Sequence, residues 1–511
     1  MNLVDDASRY RNPIIDSDMP DPDAIRVGDR FYLVASSFHR APGLPVFESR
    51  DLVDWTRIGY ALERNEPAAW FGLPRHGCGV WAPSIRHHDG RFHIVFPDPD
   101  QGIFVVTAEN PAGPWTPPRL LLAGLGLIDP CPLWDDDGRT YLVHGWARSR
   151  AGRKNVLTVV PVDAGLTTAT GPAVDVIDGD LLDGFATLEG PKFHKRDGEY
   201  WILAPAGGVA TGWQTAFRAD SPYGPYRHRI VLSQGDTPVN GPHQGAWVDD
   251  GEDGDWFLHF QDRGVFGRVL HLQPMAWDAD GWPLMGRAVA GGPAEPVLDH
   301  PAPLRGRQGA RSLARSDDFA DGLPGAHWQW EADPDPRAIV TPEDGGTGDA
   351  LTLRGSPDGG SIRTLPRVLS QPLPGWSSSS SVDVELPDAA PGARAGIAVL
   401  GLDYAWAGVR RTAAGDVAVV AVRGRDDQEE RVVASVPLRE PRVRATLAVS
   451  DDARVRVILH ADGARIDVDP QFHAVQGQWV GAAISLFAAG AHGADETIAR
   501  FAGFRITTGD R

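Results

Sequence analysis

Asp89-Gly90-Arg91-Phe92-His93-Ile94-Val95 joins an acidic, glycine-containing turn to an alternating aromatic and β-branched run, and the phrase recurs along the chain. Gly28-Asp29-Arg30-Phe31-Tyr32-Leu33-Val34 precedes it. Asp137-Gly138-Arg139-Thr140-Tyr141-Leu142-Val143, Asp197-Gly198-Glu199-Tyr200-Trp201-Ile202-Leu203 and Asp253-Gly254-Asp255-Trp256-Phe257-Leu258-His259 follow. An Asp-Gly turn leading into an alternating apolar run is a strong hairpin signal. The copies start about 50 to 60 residues apart, room for roughly four short strands each. Self-similarity of this kind predicts a β-propeller, in which each unit buries its faces against its neighbours. Five copies predict five blades.

The whole chain sets outer bounds. Its 511 residues exceed what one hydrophobic core usually serves, so two domains are expected. Abundant glycine (59) and proline (43) fit many turns and few long helices. A net charge of -19 argues against nucleic acid or an anionic membrane as partner. No apolar run is long enough to span a bilayer. The N-terminal stretch, with Asp5 and Asp6, lacks the apolar segment of a secretory signal, so a cytoplasmic location is expected. Cys78 and Cys131 are the only cysteines; they permit one disulfide, but free thiols are the plainer reading.

The phrases stop near residue 262, and residues 1–298 are read as the propeller. Residues 299–324, rich in Gly, Pro and Arg, read as a connector, and 325–511 as a second all-β domain. There Val382, Val384 and Leu386 alternate with polar residues, and Ile397–Leu400, Val417–Val422, Val455–Leu459, Ile484–Phe487 and Phe504–Ile506 look like further strands. Short strands without amphipathic helices between them favour a sandwich, serving as structural support or as a sugar-binding module.

Three acids occupy unusual settings. Asp21 lies in Met19-Pro20-Asp21-Pro22-Asp23, Asp129 in Ile128-Asp129-Pro130 and Glu189 in Leu188-Glu189-Gly190-Pro191, each just ahead of a blade. Acidic residues beside Pro and Gly are often plain turn formers. The same placement in three blades points further, because inner propeller strands start near the central channel and proline restrains the local backbone. Converging carboxylates suit glycoside hydrolysis by inversion, in which a protonated acid and an ionised base stand about 6.5–9.5 Å apart. A third carboxylate would raise the acid's pKa by repulsion.

The chain resembles glycoside hydrolase family 43, in the β-xylosidase/α-L-arabinofuranosidase group with an appended C-terminal sandwich. The matching phrases include Pro20-Asp21-Pro22-Asp23, Ser36-Ser37-Phe38, Val80-Trp81-Ala82-Pro83-Ser84, Ile128-Asp129-Pro130, Glu189-Gly190-Pro191, Gly241-Pro242-His243-Gln244-Gly245 and Gly267-Arg268, then Trp328-Gln329-Trp330 and Asp403-Tyr404-Ala405-Trp406. The resemblance implies a five-bladed propeller followed by a concanavalin A-like sandwich. It implies Asp21 as the general base, Glu189 as the general acid and Asp129 as the residue that tunes that acid. It also implies inversion, without a covalent glycosyl-enzyme.

A pocket for one terminal sugar needs aromatic faces and a few polar clamps. Phe38 and Trp81 match family subsite residues, with blade packing as the alternative. Arg268 resembles an arginine near a catalytic carboxylate, with Arg263 a nearby rival. His243 matches a histidine on the central axis that contacts substrate or holds a calcium ion through water. No cofactor is otherwise implied: there is no spaced His/Cys cluster for zinc and no phosphate-binding glycine loop. His39-Arg40 departs from the acidic-aromatic pair common in family xylosidases, at positions expected to line the approach to the sugar. The expected activity is exo-acting release of terminal β-D-xylosyl residues from xylo-oligosaccharides. Release of α-L-arabinofuranosyl residues is the alternative, and a non-catalytic carbohydrate-binding propeller is the rival from another class. Homo-oligomerisation is left open.

Overall fold

A computed structural model describes residues 9–251, 254–303, 312–357, 359–427, 429–491 and 497–509. Asp5, Asp6, Asp253 and residues 304–311 of the expected connector lie outside the described residues. The fold is all-β, with five four-stranded antiparallel sheets followed by a sheet of seven strands and one of six. Each described acidic-glycine phrase makes the hairpin between the first and second strands of a blade. In blade 1 these are Asp23–Val27 and Arg30–Val34, followed by Gly43–Ser49 and Trp55–Leu62. Blades 2 to 5 begin at Ser84–His88, Leu127–Trp134, Lys192–Arg196 and His243–Asp249, and every blade keeps its strands in chain order.

Strand alternation is what joins the blades, since neighbouring side chains point to opposite faces. Leu142 of blade 3 packs with Val95 and Val105 of blade 2, whereas its neighbours Tyr141 and Val143 pack with Phe193 and Ile202 of blade 4. Tyr32 and Val34 of blade 1 likewise meet Phe92 and Ile94 of blade 2. The ring is closed by the N-terminal segment. Arg9–Arg11 pairs with Asp299–Pro301, and Tyr10, Ile14, Ile15 and Met19 fill the seam between blades 5 and 1.

The sandwich core contains Val382, Val384 and Leu386, all fully buried, as their alternation predicts. Phe319 is also fully buried there, and Asp317 makes a β-bridge to Phe504. The stretch read as a connector is therefore taken up from both ends, Asp299–Pro301 by the propeller and Asp317 onward by the sandwich. The two domains share backbone hydrogen bonds: Ala41 and Trp330 exchange a reciprocal pair of 3.0 and 2.6 Å. Among the described residues no helix is long and apolar enough to cross a membrane, and Cys78 and Cys131 are free thiols.

Leu142 is 0% exposed at an inter-blade seam. Leu142→Ala should cost about 2–5 kcal/mol through lost burial and the cavity left behind. This is read as a lower denaturation midpoint; an unchanged midpoint would show that the seam is not tightly packed.

Candidate active site

Two of the three predicted acids sit on strained backbone at the inner ends of their blades. Asp21 (φ 54°) precedes the first strand of blade 1, and Asp129 (φ 56°) lies within the first strand of blade 3. The left-handed region is uncommon for residues other than glycine, and such strain concentrates at functional sites. In blade 3 the pairing register shifts between Ile128 and Cys131, so the ladder is broken at Asp129. Glu189 precedes the first strand of blade 4. Its successor Gly190 (φ 59°) leaves no room for a side chain, because a Cβ would stand 2.6 Å from Gln244 Cγ.

Each acid has a defined set of partners. Asp21 accepts 2.6 Å from the Ser36 hydroxyl and 2.8 Å from the Arg268 guanidinium. Asp129 accepts 2.7 Å from the Gly190 backbone N–H, which sets it beside Glu189. Burial, first, and the adjoining Glu189 charge hold the Asp129 pKa well above the ordinary carboxyl range, with Asp21 adding to the effect. The Gly190 N–H and Lys192 oppose this without cancelling it. Asp129 therefore keeps its proton to higher pH than an isolated carboxyl does. Glu189 Oε1 lies 3.0 Å from His243 Nε2, and the His243 ring is fully buried.

Arg268 thus stands on Asp21, whereas its rival Arg263 bonds Asp16 at 3.1 Å and lies over Phe266. Phe38 and Trp81 meet edge to face at 6.3 Å; Phe38 is almost entirely buried and Trp81 partly exposed. His39 and Arg40 do not line an approach to this site. Both are buried under the sandwich, where Glu331 draws the histidine ring to 2.9 Å and the guanidinium to 3.0 Å. His243 Nδ1 has no hydrogen-bond partner. His243 belongs to no cluster of three potential metal ligands among the described residues. Calcium prefers oxygen ligands, so His243 would hold it only through water.

The sandwich supplies two groups that the sequence reading missed. Gly481 N–H donates to Asp18 Oδ2 at 2.9 Å while Arg268 N–H donates to Asp18 Oδ1 at 2.8 Å, so one buried carboxylate ties the Arg268 backbone to the second domain. Burial pushes the Asp18 pKa up. Trp479 stands on left-handed backbone (φ 66°), is 48% exposed and meets Trp81 edge to face at 6.3 Å. Its setting, Gly477-Gln478-Trp479-Val480-Gly481, carries no strand alternation; a bulky ring in a glycine-flanked loop was the available signal. A large hollow on the six-stranded sheet is a different matter. Its Arg444–Asp383 (2.9 Å) and Arg500–Glu385 (3.6 Å) pairs neutralise each other, and no Phe, Trp or Tyr lines it.

The family model "Glycosyl hydrolases family 43" matches residues 10–283, and "Beta xylosidase C-terminal Concanavalin A-like domain" matches residues 316–507. The chain belongs to glycosyl hydrolases family 43. It is a glycoside hydrolase with the sandwich-bearing architecture of that family's β-xylosidase/arabinofuranosidase group. A Xylanibacter ruminicola protein named "Putative beta-xylosidase" is 41% identical over 382 residues, which cover 74% of this chain and 68% of that protein. A non-reducing end alpha-L-arabinofuranosidase of Bacteroides ovatus is 37% identical over 299 residues, 54% of each chain. The solved Bacteroides ovatus structure "Xyloglucan PUL GH43B" matches with a TM-score of 0.83 at 26% identity, covering 98% of this chain and 100% of that one. A xylan beta-1,4-xylosidase from Bacillus halodurans reaches a TM-score of 0.85 at 22% identity over 98% of this chain and 100% of that one, a likeness of fold.

The raised Asp129 pKa has a consequence for stability. Charging a carboxyl whose folded pKa exceeds its unfolded value of about 4 costs stability as pH rises from the unfolded value through the folded one. Asp129→Asn removes that cost, and its amide oxygen can still accept from Gly190. The variant should melt at a higher temperature than the parent at pH 7, with the advantage disappearing towards pH 4. Calorimetry showing no gain at pH 7 would contradict this environment for Asp129.

Proposed function

We propose that this enzyme releases single β-D-xylosyl residues from the non-reducing ends of xylo-oligosaccharides, by single displacement with inversion. The observation that carries the reading is the contrast among the acids: Asp21 accepts from Arg268 and Ser36, while burial and the adjoining Glu189 hold the Asp129 pKa up. Asp21 would take a proton from water as the water oxygen attacks the anomeric carbon. Glu189 would give its proton to the departing glycosidic oxygen. The C–O bond to the leaving group breaks as the new one forms, and solvent resets both carboxyls afterwards. Asp129 would act through Glu189, and His243, 3.0 Å from the same carboxylate, would orient it.

Phe38 and Trp81 would wall the sugar site, and Trp479 would cap the wall from the sandwich. That placement supports exo action, because the second domain occupies one flank of the aromatic wall. Removal of α-L-arabinofuranosyl groups is the second reading, supported by the 37% identity to an arabinofuranosidase. Calcium, if bound, would sit through water at His243 and supply fixed positive charge on the axis; every proton transfer assigned above runs through carboxylates.

Initial rates on 4-nitrophenyl β-D-xylopyranoside and α-L-arabinofuranoside decide between the two sugars: xyloside turnover should dominate, and a reversed ratio would replace the first reading by the second. Asp21→Ala and Glu189→Ala should each lower kcat/KM on xylobiose by about 10²–10⁴-fold with folding intact; near-parental activity in either would remove that residue from the mechanism. For Asp129→Asn the alkaline limb of kcat/KM should move, because the variant lacks the carboxyl of raised pKa that adjoins Glu189. An unmoved limb would leave Asp129 a structural residue.

A further inference from the structure

Behind the aromatic wall, His39 and His76 of the propeller meet Glu331 of the sandwich. One ring nitrogen from each histidine and one Glu331 oxygen lie within 4.8 Å of one another, the single such grouping among the described residues. It is well buried: His39 is 1% and Glu331 2% exposed, with His76 half-buried. His39 Nε2 faces Glu331 Oε2 at 2.9 Å, a spacing that a shared proton gives and that a shared cation would widen only slightly. His76 Nε2 lies 2.8 Å from the carbonyl oxygen of Arg363. A carbonyl only accepts, so this nitrogen carries the proton and His76 Nδ1 keeps its lone pair. A backbone carbonyl fixing the tautomer in this way is the usual support behind a metal-binding histidine. The two rings meet edge to face at 4.5 Å, which gathers donor nitrogens where apolar packing would serve a domain seam as well.

We propose that His39, His76 and Glu331 bind one zinc-class divalent cation across the seam between propeller and sandwich. Two imidazoles and a carboxylate are a donor set that suits zinc and its borderline neighbours, and it leaves a position for water. Calcium does not suit it, having no oxygen-rich shell here. Arg40 occupies the other Glu331 oxygen at 3.0 Å and offsets its charge, so binding is of moderate strength. The site is separate from the three acids but touches the wall that faces them. His39 directly follows Phe38. Gly77, next to His76, accepts 3.0 Å from Trp81 Nε1, and a Cβ there would stand 3.1 Å from Trp479 Cδ1. Occupancy therefore fixes the loop against which both tryptophans rest.

The test uses the full chain, stripped with a chelator, dialysed and titrated with zinc chloride by isothermal calorimetry, with bound metal counted by mass spectrometry after desalting. One equivalent per chain should bind. His76→Ala and Glu331→Gln should each weaken binding at least tenfold, whereas His243→Ala and Asp129→Asn should retain it. If Glu331→Gln fails to fold because Arg40 loses its partner, the half-buried His76 carries the test alone. Absence of a stoichiometric zinc equivalent, or parental affinity in His76→Ala, overturns the proposal. Loss of the equivalent in His243→Ala also overturns it, by placing the metal on the propeller axis.

Discussion

A buried carboxyl beside a second acid resists taking a charge, and the arrangement around Asp129 follows from that constraint. Water is excluded from Asp129, the Gly190 N–H gives it a single backbone donor, and the neighbouring acid repels its charge. Asp21 meets the opposite conditions, with a guanidinium and a hydroxyl directed at its oxygens. The same chemical group thereby stands in two contrasting environments, the contrast on which the proposed acid–base chemistry rests.

Holding that contrast is a task for the fold. The first strand of each blade begins at the axis, so residues far apart in sequence can be brought together only if the ring closes in register. Closure depends on period-2 burial in every blade and on the Arg9–Arg11 strand that pairs with Asp299–Pro301. The sandwich contributes more than support. Through Asp18 it grips the backbone of the arginine that bonds Asp21, and through Trp479 it meets the aromatic wall. Damage to the seam between domains would therefore reach the acids without touching them.

Much of this was legible in the sequence, and for physical reasons. The Asp-Gly hairpins repeat because each blade needs the same turn at the same place, so the count of blades could be read directly. Asp21, Asp129 and Glu189 stood out because proline or glycine flanked each acid ahead of a blade. What could not be read depends on contacts between domains. Phe319 lies in a stretch whose composition resembles a linker, yet it is buried in the sandwich core, since burial there is set by partners nearly two hundred residues on. His39 and Arg40 looked like residues of the sugar approach until Glu331, on the other domain, was seen to hold them. Trp479 belongs to an aperiodic loop, and no pattern in its own segment announces that it meets Trp81.

The central claim is that one ionised acid and one protonated acid act in a single displacement. Proton NMR of the sugar released from a β-xyloside, followed from the first turnovers before mutarotation, tests it most directly. The account predicts that α-xylose appears first and the β-anomer only later, as the free sugar equilibrates. Initial release of β-xylose would mean two successive inversions through a covalent intermediate, and would contradict the roles given to Asp21, Asp129 and Glu189.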